Sequence, residues 1–339
     1  MPNPRIPSCI RLLWRGVLLF LAVLAMSGGL NRAPAQDTAD EPTPVVLDTD
    51  IGSDIDDTWA LAHLLRSPEL DLQMVLTATG DTRYRGRVAA KFLATAGRTD
   101  VPVALGPSGE AAHEYQKPWV RDYQLDDYAG PVREDGISAF IELVRAADGP
   151  ITLIAIGPVP NVEAALDRAP EIASKIHFVG MQGSIDRGYG AGSDPVAEAN
   201  VKGDVDAFRT VLRADWRSFA IAPLDTADPV ALTGDHYQKL KESDDPMVTA
   251  LFENYRLWAD RVTWTEVDYF DERSSTLFDV VAVYMAYSRE HLDVEAIPIT
   301  VTDDGITRRA ENGISTRIAI EWTNLDAFYD HLTRRLLSE

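Results

Sequence analysis

The sequence predicts an α/β fold: a single large domain with a mainly parallel central sheet flanked by helices. Three observations carry this expectation. Apolar, β-branched runs alternate with segments of helical spacing along most of the chain. The strand-like runs are continuously apolar rather than alternating, as in strands covered on both faces. No internal repeat breaks the 339 residues, 45% of them hydrophobic, into units. In order, the strands are expected at Val45 to Leu47, Asp71 to Thr79, Val101 to Leu105, Ile151 to Ile156, Ile176 to Met181 and Ser218 to Ala222. Between them, helices are expected at Asp56 to Arg66, Arg83 to Ala96, Ile137 to Ala147, Asn161 to Arg168 and Asp204 to Leu212. Ligands of such sheets bind beyond the carboxyl ends of the strands.

The chain carries 32 basic against 53 acidic residues, a net charge of −21. That balance argues against nucleic acid as a partner, since phosphate-backbone binders concentrate positive charge. The one cysteine, Cys9, lies in a leader-like segment with four arginines, no acid and the short apolar run Val17 to Met26. Residues 1–35 are therefore expected to be a signal peptide, with Ala33-Pro34-Ala35 as cleavage signal and a polar tether over 36–44. A retained membrane anchor is the alternative. On this reading the exported protein, periplasmic or secreted, has no stable anchor and no thiol, carries a charge of −25 over 36–339, and has a catalytic domain spanning 45–339.

The most informative stretch runs from Val45 to Leu61, where Asp48, Asp50, Asp54, Asp56 and Asp57 crowd a strand end and a helix start. So much negative charge in one turn asks for a cation or a helix N-terminus to offset it. Without thiolates or clustered histidines, a hard cation such as Ca²⁺ or Mg²⁺ fits best. Gly52 lets the backbone turn between the carboxylates. Capping by Asp54 and Asp56 explains one or two acids, not five. A helix-loop-helix calcium site wants glycine and glutamate where Ser53 and Trp59 stand. An aspartyl-phosphate phosphatase with Asp48 as nucleophile is a third alternative.

With these residues laid out, the stretch resembles the signature of the nucleoside hydrolase family (inosine-uridine preferring and related N-ribohydrolases), with Asp48, Asp50 and Gly52 in step and Asp56-Asp57 as the closing pair before Ala60-Leu61. Six further segments resemble the family's in the same order: Thr77 to Thr82, Ile151 to Asn161, Val179 to Gly183, Pro195 to Asn200, Pro223 to Thr226 and Leu277 to Val283. The resemblance implies a Rossmann-like nucleoside hydrolase fold and a Ca²⁺-dependent hydrolase releasing ribose and free base from nucleosides, in purine or pyrimidine salvage. It implies Asp50, Asp57, the Ile156 carbonyl and Asp279 as metal ligands, with Asp50 as the base activating a water held at the ion. Asp56, Asp81, Glu198, Asn200 and Asp279 are implied to bind substrate, and a homo-oligomer is an analogy from the same source. From the residues alone, Glu198 and Asn200 read equally as a polar loop before a helix, and Asp279 as a helix N-cap.

Three departures stand out. Phe278 occupies the position where many members have a proton-donating histidine, Gly192 replaces a sugar-contacting asparagine, and Asp81 replaces the asparagine of the second loop. Leaving-group activation must then come from elsewhere. Trp59, Trp119, Trp258, Trp264, Tyr269 and Phe270 are candidates for stacking on a base, with core packing as the plainer role for most. The tyrosine-rich insert Gly106 to Glu134 is a candidate lid, and His113 within it a conceivable acid, though a lone loop histidine is more often simply solvated. A nucleoside-binding protein that has lost turnover is the second functional reading.

Overall fold

The computed structural model describes residues 41–110, 113–190 and 192–338, so the expected signal peptide and most of the tether lie outside the described residues. Ten strands form one sheet: β1 (Thr43–Thr49), β2 (Leu70–Thr77), β3 (Val103–Leu105), β4 (Val132–Arg133), β5 (Ile151–Ala155), β6 (Ile176–Met181), β7 (Ser218–Ala222), β8 (Leu292–Val301), β9 (Thr307–Arg309) and β10 (Ile314–Trp322). The order across the sheet is β4-β3-β2-β1-β5-β6-β7-β10-β8-β9. The first seven strands pair in parallel, β10 joins β7 in parallel, and β8 and β9 complete an antiparallel edge. Flanking helices are α1 (Asp56–Leu65), α2 (Thr82–Thr95), α3 (Gly136–Ala146), α4 (Pro160–Arg168), α5 (Ala199–Gly203), α6 (Val205–Arg213), α7 (Leu224–Ala227), α8 (Gly234–Lys241), α9 (Pro246–Ala259), α10 (Val280–Tyr287) and α11 (Leu325–Leu337).

The expected mainly parallel sheet is present, and the central strands are buried on both faces, β5 along its whole length. Two separate apolar layers result. One joins α1, α2, α9, α10 and α11 to one face, and the other joins α3, α4 and α6 to the opposite face. β1 begins at Thr43, two residues inside the expected tether. Thr43 and Pro44 pair only with β2, while pairing to β5 starts at Val45, so the proline sits where one edge is still open. The antiparallel edge had no counterpart among the expected elements. β8 exposes or half-exposes Asp293 to Ala296, and so lacks a continuous apolar run.

Chain order sets the location of the site. From β1 the chain builds outward through β2, β3 and β4, then returns to start β5 on the other side of β1. The crevice between the carboxyl ends of β1 and β5 is thus a topological switch point, where such sheets bind ligands.

Candidate active site

A cavity of about 690 Å³ opens at this switch point, lined by Asp50, Asp54, Asp56, Asp57, Glu198 and Asp279 among others. Two glycines make the acidic turn possible. Gly52 has φ +105°, and a Cβ there would lie 2.8 Å from the Tyr84 ring. At Gly157, just after β5, a Cβ would lie 2.6 Å from Asp50 Oδ1.

Asp56, Asp57 and Asp279 bring one carboxylate oxygen each within 4.8 Å of one another, and all three are buried. Asp56 and Asp57 open α1, whose N-cap position is Ile55, and neither they nor Asp54 cap it in the usual way. Asp54 and Asp56 each accept from the next residue's N–H, at 2.7 and 3.2 Å. Asp279 takes the N-cap position of α10, but its side chain caps nothing and joins the cluster instead. Burial, then the charges of the neighbouring aspartates, push the carboxyls of Asp56 and Asp279 well above the usual range. Burial and the Asp50 charge do the same to Asp57, against the hydrogen bond it accepts from the Thr49 hydroxyl. Among the described residues, no lysine or arginine pairs with any of the three. Three buried carboxylates without an ion-pair partner match the donor chemistry of a hard divalent ion.

Asp50 lines the same cavity but stands outside that trio. Its carboxylate accepts from Ser53 Oγ at 3.0 Å and lies 3.8 Å from an Arg85 nitrogen. Arg85, on α2 and only 6% exposed, was not anticipated. It also donates to the backbone carbonyls of Asp50, Ile51 and Thr79. Tyr84 beside it donates to the Gly52 carbonyl at 2.9 Å and accepts from Gln116 N–H, while Gln116 donates to the Asp54 carbonyl. Nothing in the local pattern marks Arg85, because a basic residue in an otherwise polar helical stretch reads as solvated. Asp48 lies beneath the turn, wholly buried, with one oxygen accepting from Asn161 at 2.7 Å. Burial pushes its carboxyl up to about 7. It does not line the cavity, which removes the phosphatase alternative that needed it as an accessible nucleophile.

Glu198 is 1% exposed, and burial raises it to about 7 despite backbone hydrogen bonds. Its oxygens accept from the N–H groups of Gly183, Asn200 and Val201, so it caps α5 and fastens the β6 end while lining the cavity. Asn200 also lines it and donates to the carbonyls of Ile156 at 3.2 Å and Met181 at 3.0 Å. The Ile156 carbonyl, expected to face a metal, therefore already accepts one hydrogen bond and keeps a second lone pair. Asp81, expected at the substrate, does not line the cavity: its carboxylate caps α2 by accepting from Tyr84 N–H at 3.0 Å.

The aromatic candidates divide. Trp258, Trp264 and Tyr269 line the cavity with Phe278, whose ring meets Tyr189 edge-on at 5.8 Å. Trp59 is core, packed edge-on to Phe252 and Tyr255. Phe270 is buried under Arg256, and Trp119 lines a separate groove with Phe252 and Arg256. The expected lid is packed down: Tyr115, Val120, Leu125 and Tyr128 are buried, and Tyr128 donates to the Val101 carbonyl at 2.6 Å. Among the described residues of that insert, only His113 lines the cavity.

An open α/β sheet with buried carboxylates gathered at its switch point defines a hydrolase-type pocket for a small polar ligand and a hard cation. Comparison with known sequences gives the family. The sequence pattern of the inosine-uridine preferring nucleoside hydrolases matches residues 45–330, and the chain belongs to that family, hydrolases that act on N-glycosyl bonds. It is 32% identical over 224 residues to the non-specific ribonucleoside hydrolase RihC of Salmonella paratyphi B, covering 62% of this chain and 71% of that one. To the protein of the same name from Escherichia fergusonii it is 31% identical over 225 residues, covering 63% and 72%. Among solved structures, a plant nucleoside hydrolase superposes with TM-score 0.73 at 22% identity, over 88% of this chain and 100% of that one. The inosine-uridine preferring nucleoside hydrolase of Bacillus anthracis gives 0.70 at 20%, over the same shares. At those identities the structures speak for the fold alone.

Proposed function

We propose that this protein is an exported, Ca²⁺-dependent N-ribohydrolase that cleaves ribonucleosides, or a related N-riboside, to ribose and free base. The observation that carries the reading is the trio Asp56, Asp57 and Asp279, buried together with no ion pair to a lysine or arginine among the described residues. Asp57 and Asp279, with Asp50 and the Ile156 carbonyl, would hold the ion, and Asp56, Glu198 and Asn200 would grip the sugar hydroxyls. When bound, Ca²⁺ supplies positive charge that offsets the carboxylates and acidifies water. The relatives named as non-specific ribonucleoside hydrolases favour broad acceptance of bases.

The chain's own groups account for the remainder. Asp50 is the base that takes the proton of the attacking water. Arg85 and Ser53 hold it in place, and Gly157 leaves the space its carboxylate fills. As the C1′–N bond breaks, positive charge grows on the sugar ring, and the surrounding carboxylates stabilise it. Glu198 and Asn200, fastened to backbone, present a rigid edge to the sugar. The test is release of ribose from a nucleoside panel with and without chelator. Ribose release that the chelator suppresses and Ca²⁺ restores supports the reading; nucleoside binding without release favours the turnover-deficient alternative.

A further inference from the structure

The acidic lining explains attack on the sugar but not departure of the base. When the C1′–N bond breaks, its electron pair stays on the base, and a heteroaromatic anion leaves poorly unless it is protonated in the same step. Phe278, at the cavity beside Asp279, has no proton to give.

Of the chain's six histidines only His113 lines the cavity. His63 is wholly buried against Tyr287, and His177 pairs with Ser218 at the opposite ends of the strands. His236 contacts Thr333, while His291 and His331 pack around Tyr284. His113 is exposed yet held from several sides. Its ring stacks on Tyr115 at 5.4 Å and 11°, and meets Trp264 edge-on at 5.0 Å. Its Nδ1 lies 3.1 Å from the Tyr115 hydroxyl, which lies 2.9 Å from Thr263 Oγ1. With Nδ1 engaged, Nε2 is the ring nitrogen left for a ligand. Tyr115 and Thr263 can each reverse donor sense, so Nδ1 keeps a partner whether the ring is charged or neutral. Two separate segments, the insert after β3 and the loop after α9, thus converge to fix one imidazole at the cavity. Of the hydroxyls that share the cavity, that of Tyr189 accepts from Ala199 N–H at 2.9 Å and is tied to the sugar-side segment.

Resting on the hydrolase reading above, we propose that His113 is the acid that protonates the departing base, with Tyr115 and Thr263 as positioning residues. Nε2–H passes its proton to a base nitrogen as the C1′–N bond breaks and the electron pair moves onto the base. Water adds to C1′, its proton goes to a carboxylate of the acidic lining, and solvent carries that proton back to the imidazole. The sum is nucleoside plus water giving ribose plus neutral base.

The test compares inosine with 4-nitrophenyl β-D-ribofuranoside, whose phenolate leaves without a proton, using the full chain supplied with Ca²⁺. For His113→Gln we expect kcat on inosine to fall roughly 10²- to 10³-fold and that on the nitrophenyl riboside to change by less than about threefold. Tyr115→Phe is expected to show the same split with a smaller loss. Equal losses on both substrates, no loss on inosine, or a split produced by Tyr189→Phe but not by His113→Gln, each overturns the proposal. Wild type inactive on both substrates overturns the hydrolase reading itself, and this proposal with it.

Discussion

The cavity has two linings built on different principles. The acidic one sits on strand ends and helix starts: Asp50 follows β1, Asp56 and Asp57 open α1, and Asp279 begins α10. Its residues are close in sequence or fixed by the sheet, and backbone or buried side chains hold them. The aromatic one, with Trp264, Tyr269 and His113, comes from loops and the insert, and Trp264 is 50% exposed. On the proposed function, rigid scaffold would carry the charge that any riboside needs, and loops would carry what meets the variable base. The acidic lining should therefore act on every substrate alike, and the aromatic lining should discriminate.

The largest effect that would sharpen this contrast comes from the acids. Asp50→Ala and Asp57→Asn are each expected to lower kcat/KM by roughly 10³-fold or more, equally for nucleosides and activated ribosides. Steady-state kinetics on both classes checks this, and a loss confined to one class breaks the division.

Metal removal comes next. Burial raises Asp48 and Glu198 to about 7 and Asp54 to about 6, against about 4 in an unfolded chain. Their contribution to stability is fully present below about pH 4 and is lost as pH rises through about 7. His63 pulls the other way: burial holds it near 3, so its contribution is complete above about 6.5, the unfolded value, and falls as pH drops toward 3. Between about pH 6.5 and 8 the carboxylates dominate, and the metal-free protein should lose thermal stability across that range. Calcium at about 100 times its Kd should restore about 2.7 kcal/mol. A chelated sample whose Tm holds steady to pH 8 would show that the carboxylates are relieved by something other than an ion.

The aromatic lining should respond more weakly. Trp264→Ala removes a ring that meets His113 and Tyr115 at 5.0 and 5.1 Å, and we expect roughly a tenfold loss of kcat/KM on purine nucleosides, about 1.4 kcal/mol. The loss on the nitrophenyl riboside should be smaller. Identical losses on the two would place Trp264 with the scaffold.

The same division marks how much the sequence discloses. The parallel strands and the acid cluster were legible because continuous apolar runs and five aspartates in ten residues leave few alternatives. Glu198 and Asn200 were placed at the cavity by resemblance, and Glu198 also caps α5 where the residues alone suggested only a polar loop before a helix. Asp81 was placed at the substrate by resemblance alone, and nothing in its neighbourhood in the sequence distinguished that role from the cap of α2 that its carboxylate forms. Arg85 and Tyr84 were invisible. Most of their partners lie more than thirty residues away and are backbone groups, which carry no side-chain signature. The antiparallel edge was missed for a related reason, since half-exposed strands lose the apolar continuity on which the reading relied.

The smallest expected effect tests whether those invisible contacts belong to the acidic lining. Tyr84 is 1% exposed; its hydroxyl donates to the Gly52 carbonyl at 2.9 Å and accepts from Gln116 N–H at 3.0 Å. Tyr84→Phe keeps the ring that fills the space beside Gly52 but leaves one buried carbonyl and one buried N–H without a partner. The expected cost is about 1 kcal/mol of unfolding free energy, with kcat/KM reduced only a few-fold, because Arg85 still holds the Asp50 and Ile51 carbonyls. Denaturant unfolding alongside kinetics checks both. A large kinetic loss without a stability loss would mean that the tyrosine hydroxyl sets the Asp50 turn more than Arg85 does, and would move α2 from support to the catalytic machinery.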